Sequence, residues 1–474
     1  MMNKKILGPI MLSFSLMLPA CKVPNKEKEN NQPEKPNIIF IYADDWGYED
    51  LSSHGSTFCK TPNIDKMAIE GMDFQNFSVC NPVCSPSRTA IITGHFPARH
   101  SVHGHFATVQ SHMQRGMPDW LDPSEVMLPR LLKEAGYTTA HYGKWHLSNT
   151  HVSDGPSPLA YGYDDFDAFN VSSQFPQMSA DSAMTRTLNF IEKNQKKPFF
   201  VNVWIHATHT PHYAKEEFLA KFPDLDEQHK VYAAVVAKAD HDIGLLFAKL
   251  KELGLDEKTL VIFSSDNGPE NTGSDEHKYS DDNSTGPGLG SYYSVGEANG
   301  LKGRKRSLFA GGVRVPFIVR WPGVVPSGII DHTTPIAAVD MLPTFVELAG
   351  GTLPEAYKPD GESIVSLIRG ESYDRQSVIY WQWLYANNRT DFWPSLGIQD
   401  VEWKMLLNRD FNRIELYNTK TDWAEQTDLA ADNPEKVKEL EAKLDAWVLT
   451  LPANPPKSCF SAERKNLEPI KNEK

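Results

Sequence analysis

Two adjacent pairs of residues, Asp44-Asp45 and Asp266-Asn267, offer only oxygen atoms. Carboxylate and amide oxygens with no Cys or His among them suit a hard divalent cation, and Ca²⁺ is favoured over Mg²⁺ where several protein groups bind directly. Arg88, Lys144 and Lys305 carry positive charge able to neutralise a tetrahedral oxyanion, while His146 and His209 are imidazoles able to move protons. A hard cation, three fixed positive charges and two imidazoles together describe the hydrolysis of an anionic ester.

These groups act together only if the fold gathers them. Short apolar runs at 37–42, 137–142, 199–205 and 259–263 end just before Asp44, Lys144, His206 and Asp266 respectively, and a further run covers 317–321. Helical patterns at 62–71, 127–136 and 228–253 alternate with them, which predicts a largely parallel α/β sheet. In such a sheet ligands bind beyond the carboxyl ends of the strands. One polar pair after one strand is ordinarily a turn or a helix cap. Four such sets at one edge point to a site. The polar, Gly-rich stretch 268–300 that follows Asn267 reads as a functional or disordered loop. Beyond about residue 350 shorter strands rich in Trp and Tyr, at 378–383 and 403–407, precede a last helix at 434–449.

The chain has 474 residues, 40% hydrophobic and 23% charged, which describes a folded globular protein and excludes a coiled coil or a disordered chain. A formal charge of −13 argues against nucleic acid as a partner, so an anionic substrate needs a local basic pocket. Lys4 and Lys5 precede an apolar run at 6–20 that is too short and too proline-broken to span a bilayer, and this reads as a secretion signal. Its end, Leu18-Pro19-Ala20-Cys21, resembles a bacterial lipobox. That implies lipidation of Cys21, export to the periplasm or the outer membrane, and a membrane link through the lipid anchor only; the alternative is an ordinary cleaved signal with an incidental Cys. Cys59, Cys80, Cys84 and Cys459 are too sparse for a disulfide framework, and no second Cys or His pair accompanies Cys80 and Cys84 to complete a zinc site.

Cys84-Ser85-Pro86-Ser87-Arg88, followed by TAIITG, resembles the C-x-P-S-R signature of the type I sulfatases. The resemblance continues in PNIIFIYADDWGY, TPNIDKMAIEGMDFQNF, LPRLLKEAGYTTAHYGKWHL, SSDNG, GRKRSLFAGGVRVPFIVRWPG and ELYNTKTDWAEQTDLA. It implies an α/β, alkaline-phosphatase-like fold with a large mixed, mostly parallel sheet flanked by helices, plus a smaller C-terminal α+β subdomain with an antiparallel sheet. The expected layout is a signal at 1–20, a tether at 21–36, a catalytic domain at 37–350, the subdomain at 351–460 and a tail at 461–474.

In that family the Cys is oxidised to formylglycine (3-oxoalanine) by a maturation enzyme. The resemblance then puts formylglycine at Cys84, and Ca²⁺ on Asp44, Asp45, Asp266 and Asn267 with residue 84 completing the shell. Arg88 resembles the residue that holds the formylglycine, Lys144 and Lys305 the sulfate-binding lysines, and His146 the imidazole beside the nucleophile. His209, in ATHTP, looks like the general acid. The aldehyde hydrate has two hydroxyls, one to attack sulfur and one whose deprotonation expels sulfate, an exit that a Ser ester lacks. His206 has no clear counterpart and reads as structural. His103, in SVHGH, falls where some sulfatases place a substrate-contacting ring, and reads either that way or as a surface residue.

Phe309-Ala310-Gly311-Gly312 lacks the acid of the F-E-G-G found in many relatives, which puts the local support of Lys305 in question. The expected substrate is a sulfated carbohydrate desulfated at or near a chain end, with Trp381, Trp383 and Trp393 either stacking on sugars or serving as core aromatics. The alternatives are a phosphoester or phosphonate monoester hydrolase of the same superfamily and a non-catalytic surface glycan-binding lipoprotein.

Overall fold

The computed structural model describes residues 35–272 and 294–467, so the expected secretion signal, Cys21 and most of the 268–300 stretch lie outside the described residues. The strands in chain order begin β1 (Asn37–Ala43), β2 (Met72–Phe74), β3 (Phe77–Ser78), β4 (Thr138–Lys144) and β5 (Asp165–Phe169). They continue with β6 (Phe199–Trp204), β7 (Thr259–Ser265), β8 (Phe317–Arg320), β9 (Ile329–Asp331) and β10 (Ile336–Ala337). Eight of them form one sheet in the order β5-β4-β6-β1-β7-β8-β2-β9, and β3 and β10 pair separately. β5, β4, β6, β1 and β7 run parallel, while β8 lies antiparallel to both of its neighbours. The sheet is mixed and mostly parallel, as the alternating pattern predicts.

All seven residues of β1 (NIIFIYA) are buried, because helices cover both faces of its sheet and leave no polar side to alternate. Ile38, Phe40 and Tyr42 enter one core with residues of the helices Cys84–Thr93, Leu128–Glu134 and Met341–Leu348. Ile39, Ile41 and Ala43 enter the other, with residues of Pro62–Ile69, Ala183–Asn194 and Glu227–Glu252. The predicted strand at 137–142 extends to Lys144, so this lysine is itself a strand residue at the sheet's carboxyl edge. β5 (DFDAF) has no apolar run because it is the half-exposed edge of the sheet.

The helix Cys84–Thr93 is buried at all ten positions although half of its side chains are polar. It is tolerated because those hydroxyls bond backbone carbonyls: Ser87 Oγ to Asn81 at 2.7 Å, Thr89 Oγ1 to Ser85 at 2.9 Å and Thr93 Oγ1 to Thr89 at 2.7 Å. Gly94, at φ 65°, ends the helix in the left-handed conformation that glycine adopts without penalty.

A second sheet joins β11 (Ile379–Gln382), β12 (Leu396–Asp400), β13 (Trp403–Asn408) and β14 (Arg413–Asn418) in antiparallel order, and the helix Pro434–Val448 follows in the chain. Trp381, Trp383 and Trp393 are buried in the same core as β1, so they are core aromatics and present no face for a sugar. Lys404 of β13 and Glu425, in the loop after β14, also support the 309–312 segment. Glu425 accepts the Ala310 N–H at 2.8 Å and the Lys404 ammonium at 2.7 Å, and Lys404 donates to the Leu308 carbonyl at 3.0 Å. A carboxylate distant in sequence thus serves the turn whose local acid is missing. Glu425→Ala is expected to lower unfolding free energy by about 3–5 kcal/mol, since it leaves the buried Lys404 unpaired; a denaturant melt checks it.

Candidate active site

β1 lies between β6 and β7, with Ile41 opposite Val203 and Ala43 opposite Ser265, so the three strands end together. Asp44 and Asp45 leave β1, His206 and His209 follow β6, Asp266 and Asn267 follow β7, and Lys144 ends β4 beyond β6. Cys84 is the first residue of its helix, and its Sγ lies within 4.8 Å of carboxylate oxygens of Asp44 and Asp266. Asp45 and His146 hold positive φ values of 63° and 53°, a conformation uncommon outside glycine that concentrates at functional sites.

Each cation hydrogen-bonds one carboxylate, and Arg88 and Lys305 each lie 3.7 Å from a second, Asp44 and Glu270. Lys144 Nζ lies 2.9 and 2.7 Å from the two oxygens of Asp44. Arg88 donates to Asp266 Oδ2 from Nε at 3.0 Å and from Nη2 at 2.6 Å, and to the Lys144 carbonyl at 3.1 Å, with its guanidinium 4.7 Å over the Trp204 ring. Lys305 Nζ donates to Asp45 Oδ2 at 2.6 Å and lies 3.7 Å from Glu270, which also pairs with Arg306 at 2.7 Å. Lys305 therefore has acidic support from Asp45 and Glu270, and the alanine at position 310 does not strand it.

The imidazoles have assigned tautomers. His209 Nδ1–H donates to the Thr210 carbonyl at 2.6 Å, leaving Nε2 3.8 Å from Asp45. His146 Nε2–H donates to the Phe106 carbonyl at 2.9 Å, leaving Nδ1 buried and without a hydrogen-bond partner among the described residues. Burial is the main reason both rings sit well below the usual imidazole pKa, so both are neutral at physiological pH. Burial also raises the Cys84 thiol despite the nearby Lys144, so the encoded Cys is a weak nucleophile at neutral pH.

The oxygen-bearing set fits a hard cation. Asn267 Nδ2 donates to Asp45 Oδ1 at 2.7 Å and to the Gly268 carbonyl at 2.9 Å, which turns the amide so that Oδ1 is a buried acceptor with no hydrogen-bond donor among the described residues. Burial, reinforced by the charge of Asp44, pushes Asp266 up to about 7, and burial also raises Asp45. A divalent ion would relieve both the orphan oxygen and the crowded carboxylates.

Of the residues expected from sequence, Asp44, Asp45, Cys84, Arg88, Lys144, His146, His209, Asp266, Asn267 and Lys305 all occupy this edge. His103 is linked to none of them by a hydrogen bond; its Nδ1 is buried without a partner among the described residues, and burial takes its pKa down to about 4. His105, two residues on, is instead the ring that approaches His146, at 6.2 Å between centroids. His206, expected to be structural, donates from Nδ1 to the Asp44 carboxylate and stacks on His209 at 4.6 Å. Glu270 lies in a loop with no motif around it to mark it, although only two residues separate it from Asn267.

The sulfatase family model matches residues 36–351, and one described as N-sulphoglucosamine sulphohydrolase, C-terminal, matches residues 302–452. The N-acetylgalactosamine-6-sulfatase of Sus scrofa is 32% identical over 391 residues, covering 73% of this chain and 69% of that protein. The N-acetylgalactosamine-6-O-sulfatase of Bacteroides thetaiotaomicron is 25% identical, covering 94% of this chain and 99% of its own. Among solved structures, Ps i-CgsB in complex with k-i-k-neocarrahexaose superposes with a TM-score of 0.73 at 26% identity, covering 93% of this chain and 98% of that one. A family match that runs from β1 to the end of the large sheet's helices, over the strand ends that gather the charged residues, makes this chain a member of the sulfatase family and a sulfuric ester hydrolase.

Proposed function

We propose that the protein removes sulfate from a sulfated carbohydrate, with residue 84 as nucleophile in its formylglycine form and one Ca²⁺ held by Asp44, Asp45, Asp266 and Asn267. The observation that carries this reading is the convergence of Arg88, Lys144 and Lys305 on the carboxylates around Cys84 in one buried site. The activities and ligand of the relatives named above support a sugar as the alcohol half of the ester. Formylglycine, as its hydrate, would supply the attacking hydroxyl, and Ca²⁺ would neutralise charge on the sulfuryl oxygens.

The protein's own groups do the rest. With all four ionised around a cation, Asp44, Asp45, Asp266 and Glu270 match the charges of Arg88, Lys144, Lys305 and Arg306, so a bound divalent ion would tip the site positive. That local excess is what an anionic ester requires on a chain of net charge −13. Lys144 and Lys305, preset by Asp44 and Asp45, present ammonium groups to sulfate oxygens without reorganising. His146 Nδ1 accepts a proton at position 84. His209 Nε2 gives one to the leaving oxygen, taking it up when the anionic ester binds and offsets the burial that keeps the ring neutral. The expected lipidation of Cys21 and export would place this activity outside the cytoplasm.

A panel of sulfated mono- and oligosaccharides, an aryl sulfate and an aryl phosphate tests the reading. Turnover of saccharides with negligible phosphate hydrolysis is expected, and an enzyme that desulfates only the aryl ester would lose the carbohydrate assignment. His209→Ala should reduce kcat on a sugar sulfate by about 10²–10⁴-fold, because an alkoxide leaves poorly without a proton. Its effect on an aryl sulfate with a weakly basic leaving group should be small. Equal losses on both esters would reassign His209 to binding.

A further inference from the structure

Behind the nucleophile helix lies a buried pair that the chemistry above leaves unused. His112 and Asp119 have fully buried side chains and meet, Nδ1 to Oδ1, at 2.9 Å. Asp119 accepts there, so the proton sits on Nδ1 and His112 Nε2 is a bare acceptor. That acceptor takes the Ala107 N–H at 2.6 Å, and the ring packs edge-on against Phe106 at 5.5 Å. Phe106 in turn links two parts of the site through its backbone. Its N–H donates to Ser85 Oγ at 3.0 Å, one residue from Cys84, and its carbonyl accepts His146 Nε2–H and Asn149 Nδ2, each at 2.9 Å.

The far side of Asp119 belongs to the end of the chain. Its second oxygen accepts the Ser461 N–H at 2.7 Å, its own N–H donates to the Cys459 carbonyl at 2.9 Å, and Arg464 lies 3.6 Å from Oδ1. A run of hydrogen bonds therefore leads from the C-terminal segment through Asp119, His112 and the 106–107 backbone to His146.

We propose that His112 and Asp119 are positioning residues for the nucleophile end of the site, anchored by the C-terminal segment around Ser461. By accepting the Ala107 N–H, His112 fixes the Phe106 peptide, whose carbonyl holds His146 with its proton on Nε2 and its Nδ1 open to the reaction. Hydrogen-bond partners one step removed from a reacting imidazole set its tautomer and angle in this way, and removing them costs about 10–100-fold in activity. The proposal rests on the role given to His146 above.

Two substitutions split the pair's contacts. In His112→Gln the amide oxygen falls near the position of Nε2, keeping an acceptor for Ala107 and giving up Asp119. In His112→Asn the amide nitrogen falls near Nδ1, keeping Asp119 and giving up Ala107. Both should lose melting temperature, but His112→Asn should lose about 10–100-fold in kcat with KM little changed, while His112→Gln retains most of kcat. Equal, near-wild-type kcat per folded molecule in both variants overturns the proposal and leaves the pair purely structural. His146→Ala is measured alongside: wild-type kcat there removes the His146 role itself, whereas an inactive His146→Ala beside a fully active His112→Asn removes only the positioning. Should His112→Asn fail to fold, Ser461→Pro deletes the N–H on Asp119. A several-fold lower kcat at unchanged KM is then expected, and unaltered kcat in that folded variant overturns the coupling.

Discussion

Cys84→Ala is expected to fold and to lose turnover by on the order of 10⁵-fold or more, the scale seen when one member of a catalytic unit that acts together is removed. The side chain is buried at the start of a fully buried helix, and losing one sulfur atom there should cost only about 1 kcal/mol of stability. Loss of activity with a nearly unchanged melting temperature is thus the signature to look for. The encoded thiol cannot substitute, since burial holds it protonated. Peptide mass spectrometry of active enzyme should find residue 84 lighter than the encoded Cys, with Ser85 and Cys80 as encoded. Active enzyme with an unmodified Cys84 would defeat the formylglycine assignment while leaving family membership untouched.

Asp266 carries the second large effect because it serves two purposes. It accepts two of the three Arg88 hydrogen bonds and the Asp45 N–H at 3.2 Å, and it is one of the three carboxylates offered to the metal. Asp266→Ala takes from a buried guanidinium its hydrogen-bonded carboxylate and leaves only Asp44, 3.7 Å away, so a loss of about 3–5 kcal/mol in stability is expected together with inactivity. Asp266→Asn separates the two purposes: it keeps a hydrogen-bond acceptor for Arg88 but removes a metal charge. It should melt close to wild type without added calcium and should remain at least about 10³-fold less active. Calcium at 100 times its dissociation constant should add about 2.7 kcal/mol to the wild type, and Asp266→Asn should gain much less. A wild type whose melting and activity are indifferent to chelation and to calcium would contradict the metal assignment.

The strands that build the site were legible because each is buried on both faces and so reads as a continuous apolar run, with its reactive residues just past the end. Cys84 and Arg88 were legible for a different reason, the resemblance of the C-S-P-S-R spacing to a known signature. The rest came from residues whose position only tertiary packing decides. Glu270 and His105 are delivered by loops, and neither sits at a period or spacing that marks it. β12 and β14 are short antiparallel strands that carry polar residues, and their pairing to β13 is not a local property. Trp381, Trp383 and Trp393 show the converse: their residue type permits either a sugar platform or a core, and burial against the large sheet decides for the core. His206 was legible in place, just past the 199–205 run, but no motif marks its contact with Asp44.

The alternation along β1 makes that strand a ruler for the whole constellation. Even-numbered residues face one core and odd-numbered residues the other, up to the point where Asp44 and Asp45 emerge. Inserting or deleting one residue within 37–43 would exchange the two faces and advance or withdraw the carboxylates by about 3.3 Å relative to β6 and β7. No side-chain repacking restores such a shift, because the Ala43–Ser265 and Ile41–Val203 pairings fix both neighbours independently. Length changes should therefore be absent from this strand among active variants and confined to exposed turns such as the one ending in Gly254, while conservative apolar substitutions inside it remain tolerable.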